Sequence, residues 1–325
     1  MNHSKEVVIQ TRSLSKSYKT VNALKPLDLS VHKNSIFGFL GPNGAGKTTT
    51  IKLLLGLIQP TQGEGTIFDH DIVQDSIAIR KRVGYLPQDP RFYEYMTARE
   101  TLDFIARFFF KGPEAEIKNR VQETLDLVGL ADKADRPIKT FSGGERQRLG
   151  IGQAQVNYPD LLILDEPAAS LDPLGRRDVL EVMERLRKYA TVFYSTHILD
   201  DVQRVSDTVA ILNNGELVTH GPIEVLLAGS GGTAYSVKIK EDAKGAERCQ
   251  QRISAQPWAS QIQASDQNSE TTLIVSVNDP QAAEAQLARL VLADEHTILT
   301  EFKRKTYELE EIFMEIVEGG SHGGK

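Results

Sequence analysis

IFGFLGPNGAGKTTTIKLLLGL spans residues 36–57. Its first five positions are apolar or glycine with no alternation, which suits a strand covered on both faces of a parallel sheet. Eight positions follow, GPNGAGKT at 41–48, with glycine at 41, 44 and 46. Such a loop lets successive backbone N–H groups converge on phosphate oxygens, and the helix beginning after it adds the positive end of its dipole. Gly41, Pro42, Asn43, Gly44, Ala45 and Gly46 form the expected cradle, with Lys47 reaching the β- and γ-phosphates. Thr48 is the expected Mg²⁺ contact, and Thr49 completes the nucleotide set.

Two further runs, LLILD at 161–165 and TVFYS at 191–195, read as strands apolar on both faces and alternate with amphipathic stretches. The pattern predicts an α/β fold with a parallel sheet between helices. The first run ends in Asp165 and Glu166. Neighbours on a strand face opposite ways, so Asp165 is expected to hold Mg²⁺ through water, while Glu166 polarises an attacking water. In FSGGERQR, 141–148, Ser142 and Glu145 form a capping-box pattern that opens a helix. The intervening Gly143 and Gly144 remove side chains where a ligand must come close, and an anion is the natural guest of a helix N-terminus.

The net charge is −6, with 25% charged and 40% hydrophobic residues, and most of the acidic excess lies beyond residue 230. No basic surplus suggests a nucleic-acid partner. Cys249 is the one cysteine, so no internal disulfide forms, and the N-terminus MNHSKEVVIQ lacks a signal-peptide core. A cytoplasmic protein is expected. The apolar run LLLGLI at 53–58 is far shorter than the roughly 20 residues a membrane span requires. Ala228-Gly229-Ser230-Gly231-Gly232 interrupts the patterned sequence and marks a linker at 229–232 between residues 1–228 and a small domain at 233–318. There YSVKIK (235–240), a helix at 243–255, a strand near 258–264, TTLIVSV (271–277), a helix at 280–292 and HTILTEF (296–302) predict βαββαβ, a ferredoxin-like α+β module. Trp258 is expected to fill its core. A terminal helix at 306–318, with Leu309, Ile312, Phe313 and Ile316 at helical spacing, needs a surface to pack on, and 319–325 read as a flexible tail.

These segments resemble the ATP-binding-cassette ATPases over about residues 7–228, in the family's order. GPNGAGKT is similar to the Walker A motif, FSGGE to the signature, LLILDE to Walker B with its catalytic glutamate, and Ser170-Leu171-Asp172 to the D-loop. The resemblance implies a P-loop nucleotide-binding domain with a helical subdomain at about 88–160. It gives Gln88 of YLPQD to Mg²⁺ and the attacking water, His197 of YSTH to the γ-phosphate, and Tyr18 of KSYKTVNAL to the adenine face. It also implies a homodimer in which the signature of one copy closes over ATP held by the other. The ATPase would then drive a separate membrane permease from the inner face of the membrane. RFYEYMTARETLDFIARFF, 91–109, offers a surface for that permease. The C-terminal module and the YELEEIFMEIV tail (307–317) are similar to exporter subunits; a soluble ATPase acting as an assembly or regulatory factor is the alternative. The sequence departs from the family at Phe141 and Glu145 of the signature and at Ala168-Ala169.

Overall fold

The computed structural model describes residues 6–227, 233–241, 243–267, 270–294, 296–305 and 309–310. The chain divides into two compact units, Met1–Ile223 and Glu224–Lys325.

At the centre of the first unit, β3 (Ile36–Leu40), β7 (Leu161–Asp165) and β8 (Thr191–Thr196) are buried at every position. Their doubly apolar sequence leaves them no solvent face, so helices cover the sheet on both sides. With β6 (Val83–Leu86), β9 (Thr208–Asn213) and β10 (Glu216–Pro222), the order is β10-β9-β3-β8-β7-β6. All neighbours run parallel except β10, which turns back on β9 as a hairpin. Phe37 stacks on Phe193 with ring centroids 5.5 Å apart, and burying rings of this size stabilises by about 1.5–3 kcal/mol each. A second, antiparallel sheet has the order β2-β1-β4-β5, from β1 (Val7–Tyr18), β2 (Val21–His32), β4 (Gln62–Ile67) and β5 (His70–Asp71). Leu27 and Leu29 of β2 share one core with Phe37 and Phe39 of β3 and with Ile51 and Leu53 of α1 (Lys47–Leu54). The core thus presses the helix after the glycine loop against both sheets. A short α2 (Ser76–Arg80) precedes β6.

Three mutually packed helices form the helical subdomain: α3 (Ala98–Phe109), α4 (Glu114–Leu127) and α5 (Gly143–Gln155). Thr97 and Glu100 close a capping box at the start of α3, as Ser142 and Glu145 do at α5. After β7 comes α6 (Pro173–Leu186), and after β8 comes α7 (Leu199–Val205). The last described helix before the glycine-rich run is α8 (Ile223–Leu227).

The second unit has the expected βαββαβ order: β11 (Thr233–Lys240), α9 (Ala243–Ser254), β12 (Ala259–Gln267), β13 (Glu270–Val277), α10 (Pro280–Val291) and β14 (Ile298–Lys305). The sheet is antiparallel, in the order β12-β13-β11-β14. Trp258 is 4% exposed in a core with Val237, Ile253 and Leu287, and its indole N–H donates to Gln286. Strand β12 begins one residue later than expected and runs to Gln267, because Ser265, Asp266 and Gln267 continue the ladder with β13. The linker at 229–232 and the tail at 319–325 lie outside the described residues, as does the terminal helix apart from Leu309 and Glu310. No helix among the described residues is long and apolar enough to cross a membrane.

Candidate functional site

The glycine loop is held from three sides. Gly46 caps α1 with φ +106°, a conformation that disfavours a side chain, and a Cβ there would sit 2.6 Å from the carbonyl oxygen of Ala23. Gly41 N–H donates to Thr196 O at the end of β8 (3.1 Å), and Gly215 N–H, from the tip of the β9–β10 hairpin, donates to Ala45 O (3.0 Å). Gly215 O in turn accepts from Lys25 N–H of β2 (2.7 Å). Inside the loop, Lys47 is 5% exposed and its ammonium donates to Gly41 O (2.5 Å) and Pro42 O (3.1 Å).

That ammonium also lies 3.1 Å from Glu166 Oε1, while Glu166 Oε2 lies 2.8 Å from His197 Nδ1. A buried carboxylate thus joins the start of α1 to the end of β8. Strand alternation was the expected reason for the different orientations of Asp165 and Glu166, and the structure gives another. The strand stops at Asp165, and Glu166 turns out of it with φ +52°. Ser195 stabilises that turn. Its Oγ donates to Asp165 Oδ1 (2.5 Å) and accepts from Glu166 N–H (2.9 Å), and its carbonyl also accepts from that N–H (3.2 Å). Asp165 Oδ2 takes a hydrogen bond from Thr48 Oγ1 at 3.0 Å. Across the sheet, burial and then the Asp165 charge push the Tyr85 phenol up.

A cavity of about 310 Å³ opens beside these groups. The loop and α1 contribute Asn43, Gly44, Gly46, Lys47, Thr48 and Thr49, and Ala23, Gln88 and Glu166 complete the lining. Its backbone donors and cation suit a polyphosphate, and nothing lies within 4 Å of where a Cβ of Gly44 would sit, so the loop is open on that side. Thr48 Oγ1 and Asp165 Oδ2 are hard oxygen donors, and no cluster of three or more acidic, histidine or cysteine groups forms a metal cage among the described residues. Two hard oxygen donors at the mouth of a phosphate-binding loop fit Mg²⁺, which takes few protein ligands and shares phosphate oxygens.

Tyr18, Ser142, Gly143, Gly144 and Asp172 are not among the residues lining that cavity. The Tyr18 ring is 46% exposed at the end of β1, with Lys16 Nζ 5.0 Å from its centroid. Asp172 caps α6, accepting from Gly175 N–H at 3.3 Å. The two signature glycines have an internal reason that the sequence did not disclose. A Cβ on Gly144 would lie 3.0 Å from Gly175 Cα, so the starts of α5 and α6 touch through their backbones there, and one on Gly143 would lie 3.3 Å from the Leu171 side chain. The capping box also forms. Ser142 N–H donates to Glu145 Oε2 (2.7 Å), Glu145 N–H donates to Ser142 Oγ (3.2 Å), and Lys133 Nζ reaches Glu145 Oε1 (2.7 Å). Burial pushes the Glu145 carboxyl up, but Lys133 and the Ser142 amide outweigh it and leave the group below its ordinary value.

Sequence reasoning missed Ser195 and Ala23. The signal for Ser195 was a hydroxyl in a run otherwise apolar on both faces, which a buried strand tolerates only with partners. Ala23 acts through its backbone and gives no such signal.

Residues 24–169 match the ABC transporter family profile. An uncharacterized ABC transporter ATP-binding protein of Bacillus subtilis is 35% identical over 310 residues, 95% of this chain and 99% of its own. The daunorubicin/doxorubicin resistance ATP-binding protein of Streptomyces peucetius is 32% identical over 316 residues, 97% of this chain and 93% of its own. Among solved structures, a bacterial ABC transporter cassette determined as a dimer matches 66% of this chain and 98% of its own, at 25% identity and a TM-score of 0.60.

Proposed function

Because the chain belongs to the ABC transporter family of ATP-binding, ATP-hydrolysing subunits, we propose that two copies of it bind Mg-ATP between them and drive a separate membrane permease, in the direction of export. The observation that carries the catalytic part is Glu166, 4% exposed, bridging Lys47 and His197 at the cavity wall. In this reading the loop amides of Asn43, Gly44 and Gly46 and the Lys47 ammonium bind the phosphates. Taking up phosphate oxygens draws Lys47 away from Glu166 Oε1, which then faces a water as general base. His197 orients the carboxylate and meets the γ-phosphate, Gln88 reaches the water, and Tyr18 offers its exposed ring to the adenine. Thr48 and Asp165, with Gln88, would hold Mg²⁺, which supplies charge neutralisation at the β- and γ-oxygens. Ser142, Gly143, Gly144 and Asp172 contribute to the site of the partner copy, and the dimeric cassette among the similar structures supports that pairing. The export reading rests on the match, over nearly the whole chain, to a relative named for drug resistance.

General-base catalysis contributes roughly 10²–10⁴-fold, so Glu166→Gln should lower ATP turnover by that factor in a phosphate-release assay while ATP binding persists. Turnover at the wild-type rate would show that another group activates the water.

A further inference from the structure

The segment carrying His197 has no cap of its own. Helix α7 starts two residues later with Ile198 at its N-cap and no side-chain cap bond, and Ile198 N–H is held by Thr196 Oγ1 at 3.0 Å. Besides its buried Val202 and Val205, α7 is fastened to α6 by an ion pair. Arg176 Nε donates to Asp201 Oδ1 at 2.5 Å, and the Asp201 side chain is 1% exposed. Asp201 Oδ2, equally buried, has no hydrogen-bond partner among the described residues, while Arg176 Nη2 lies 3.8 Å from Asp200 Oδ2 at the surface. Burial therefore pushes the Asp201 carboxyl up against the pull of Arg176. A half-satisfied buried carboxylate is a poor way to stabilise packing, and apolar residues of similar volume usually serve as well or better.

The position of Arg176 suggests what the pair does. It stands one residue after Gly175, whose backbone touches Gly144 at the start of α5, and its N–H donates to Asp172 O (2.9 Å). Contacts therefore run without a break from the Ser142 end of α5, through Gly144 and Gly175, to Arg176, Asp201, the start of α7, and His197 on Glu166. We propose that Arg176 and Asp201 are a positioning pair for ATP hydrolysis. They fix His197 against Glu166 according to where the start of α5 sits on α6, and so link the signature end of a subunit to the catalytic carboxylate of the same subunit. The proposal rests on the roles given above to His197 and Glu166. The unpaired Oδ2 gives the link a second arrangement, because the guanidinium fork can engage both oxygens when the helices shift.

The test is the doubly apolar variant Arg176→Met/Asp201→Leu in the full chain, compared with wild type in melting temperature, ATP affinity, kcat and KM. If the pair only holds the fold together, kcat will survive wherever the protein folds. A positioning pair gives a folded variant whose ATP affinity and KM lie within about twofold of wild type and whose kcat falls at least about tenfold. The same substitutions added to His197→Ala should cause no further loss in single-turnover rate. Undiminished kcat, or losses that multiply with the His197→Ala loss, would overturn the proposal. Should the apolar variant not fold, Arg176→Lys, which keeps the charge without the fork, replaces it under the same criteria. His197→Ala alone tests the underlying reading, because wild-type kcat in that variant rejects the role of His197 whatever the pair does.

Discussion

Ser195 is 0% exposed, and its hydroxyl serves Asp165 and the Glu166 amide together, so one oxygen sets both the carboxylate next to Thr48 and the turn that aims its neighbour. Ser195→Ala leaves Asp165 Oδ1 without its donor and the Glu166 amide with only the Ser195 carbonyl. A buried polar group left unpaired costs about 1–3 kcal/mol, which urea unfolding at neutral pH should show together with a fall in kcat. An unfolding free energy equal to wild type would mean that the hydroxyl is dispensable to the turn. Chemistry at this scale was largely legible. Glycine spacing pointed to the loop, and LLILDE to the acids, because phosphate binding needs residue types that ordinary loops and strands do not combine. The backbone geometry was not legible. Nothing in Glu166 announces a positive φ, since that conformation is imposed by Ser195 about thirty positions away in sequence.

At the scale of elements, the start of α5 combines two requirements, a capped N-terminus and close approach to α6. The Ser142–Glu145 box was readable from three-residue spacing, whereas the Gly144–Gly175 contact was not, because which helices meet depends on the sheet order between them. Glu145 makes the cap sensitive to pH. Its folded value is lowered from the ordinary 4.5, so its contribution is complete above that value and disappears as the pH falls through the lower, folded one. Glu145→Gln should therefore reduce the melting temperature at pH 7, where caps are worth about 0.5–2 kcal/mol, and match wild type in stronger acid. A deficit of constant size down to pH 3 would assign the loss to packing instead of charge.

For the whole molecule, the two-unit reading and the paired-copy reading lead to separable measurements. Lys47→Ala should weaken ATP affinity in the isolated subunit, whereas Ser142→Arg should leave that affinity nearly unchanged and block ATP-dependent dimerisation in sedimentation. Equal loss of affinity in both variants would contradict a site shared between copies. Truncation after Gly229 should leave a folded protein that binds ATP, because every residue lining the cavity lies upstream. Calorimetry with the truncated chain checks this, and loss of binding by a folded fragment would relocate part of the site. The glycine-rich run and the change of pattern after it made the second unit visible in sequence; β14 was displaced toward the C-terminus because its partner β11 pairs through Lys305.

The loop at 41–48 receives one hydrogen bond from Gly215 and donates one to Thr196, groups encoded more than 140 positions later. A chain emerging from the ribosome therefore carries the phosphate-binding sequence long before it can carry the phosphate-binding shape. Until β8 and then the β9–β10 hairpin are made, the cradle lacks these ties, and a nucleotide meeting the nascent chain finds glycines free to wander. Competence for ATP thus comes near the end of the synthesis of the first unit, with its last hairpin, and not with the motif itself.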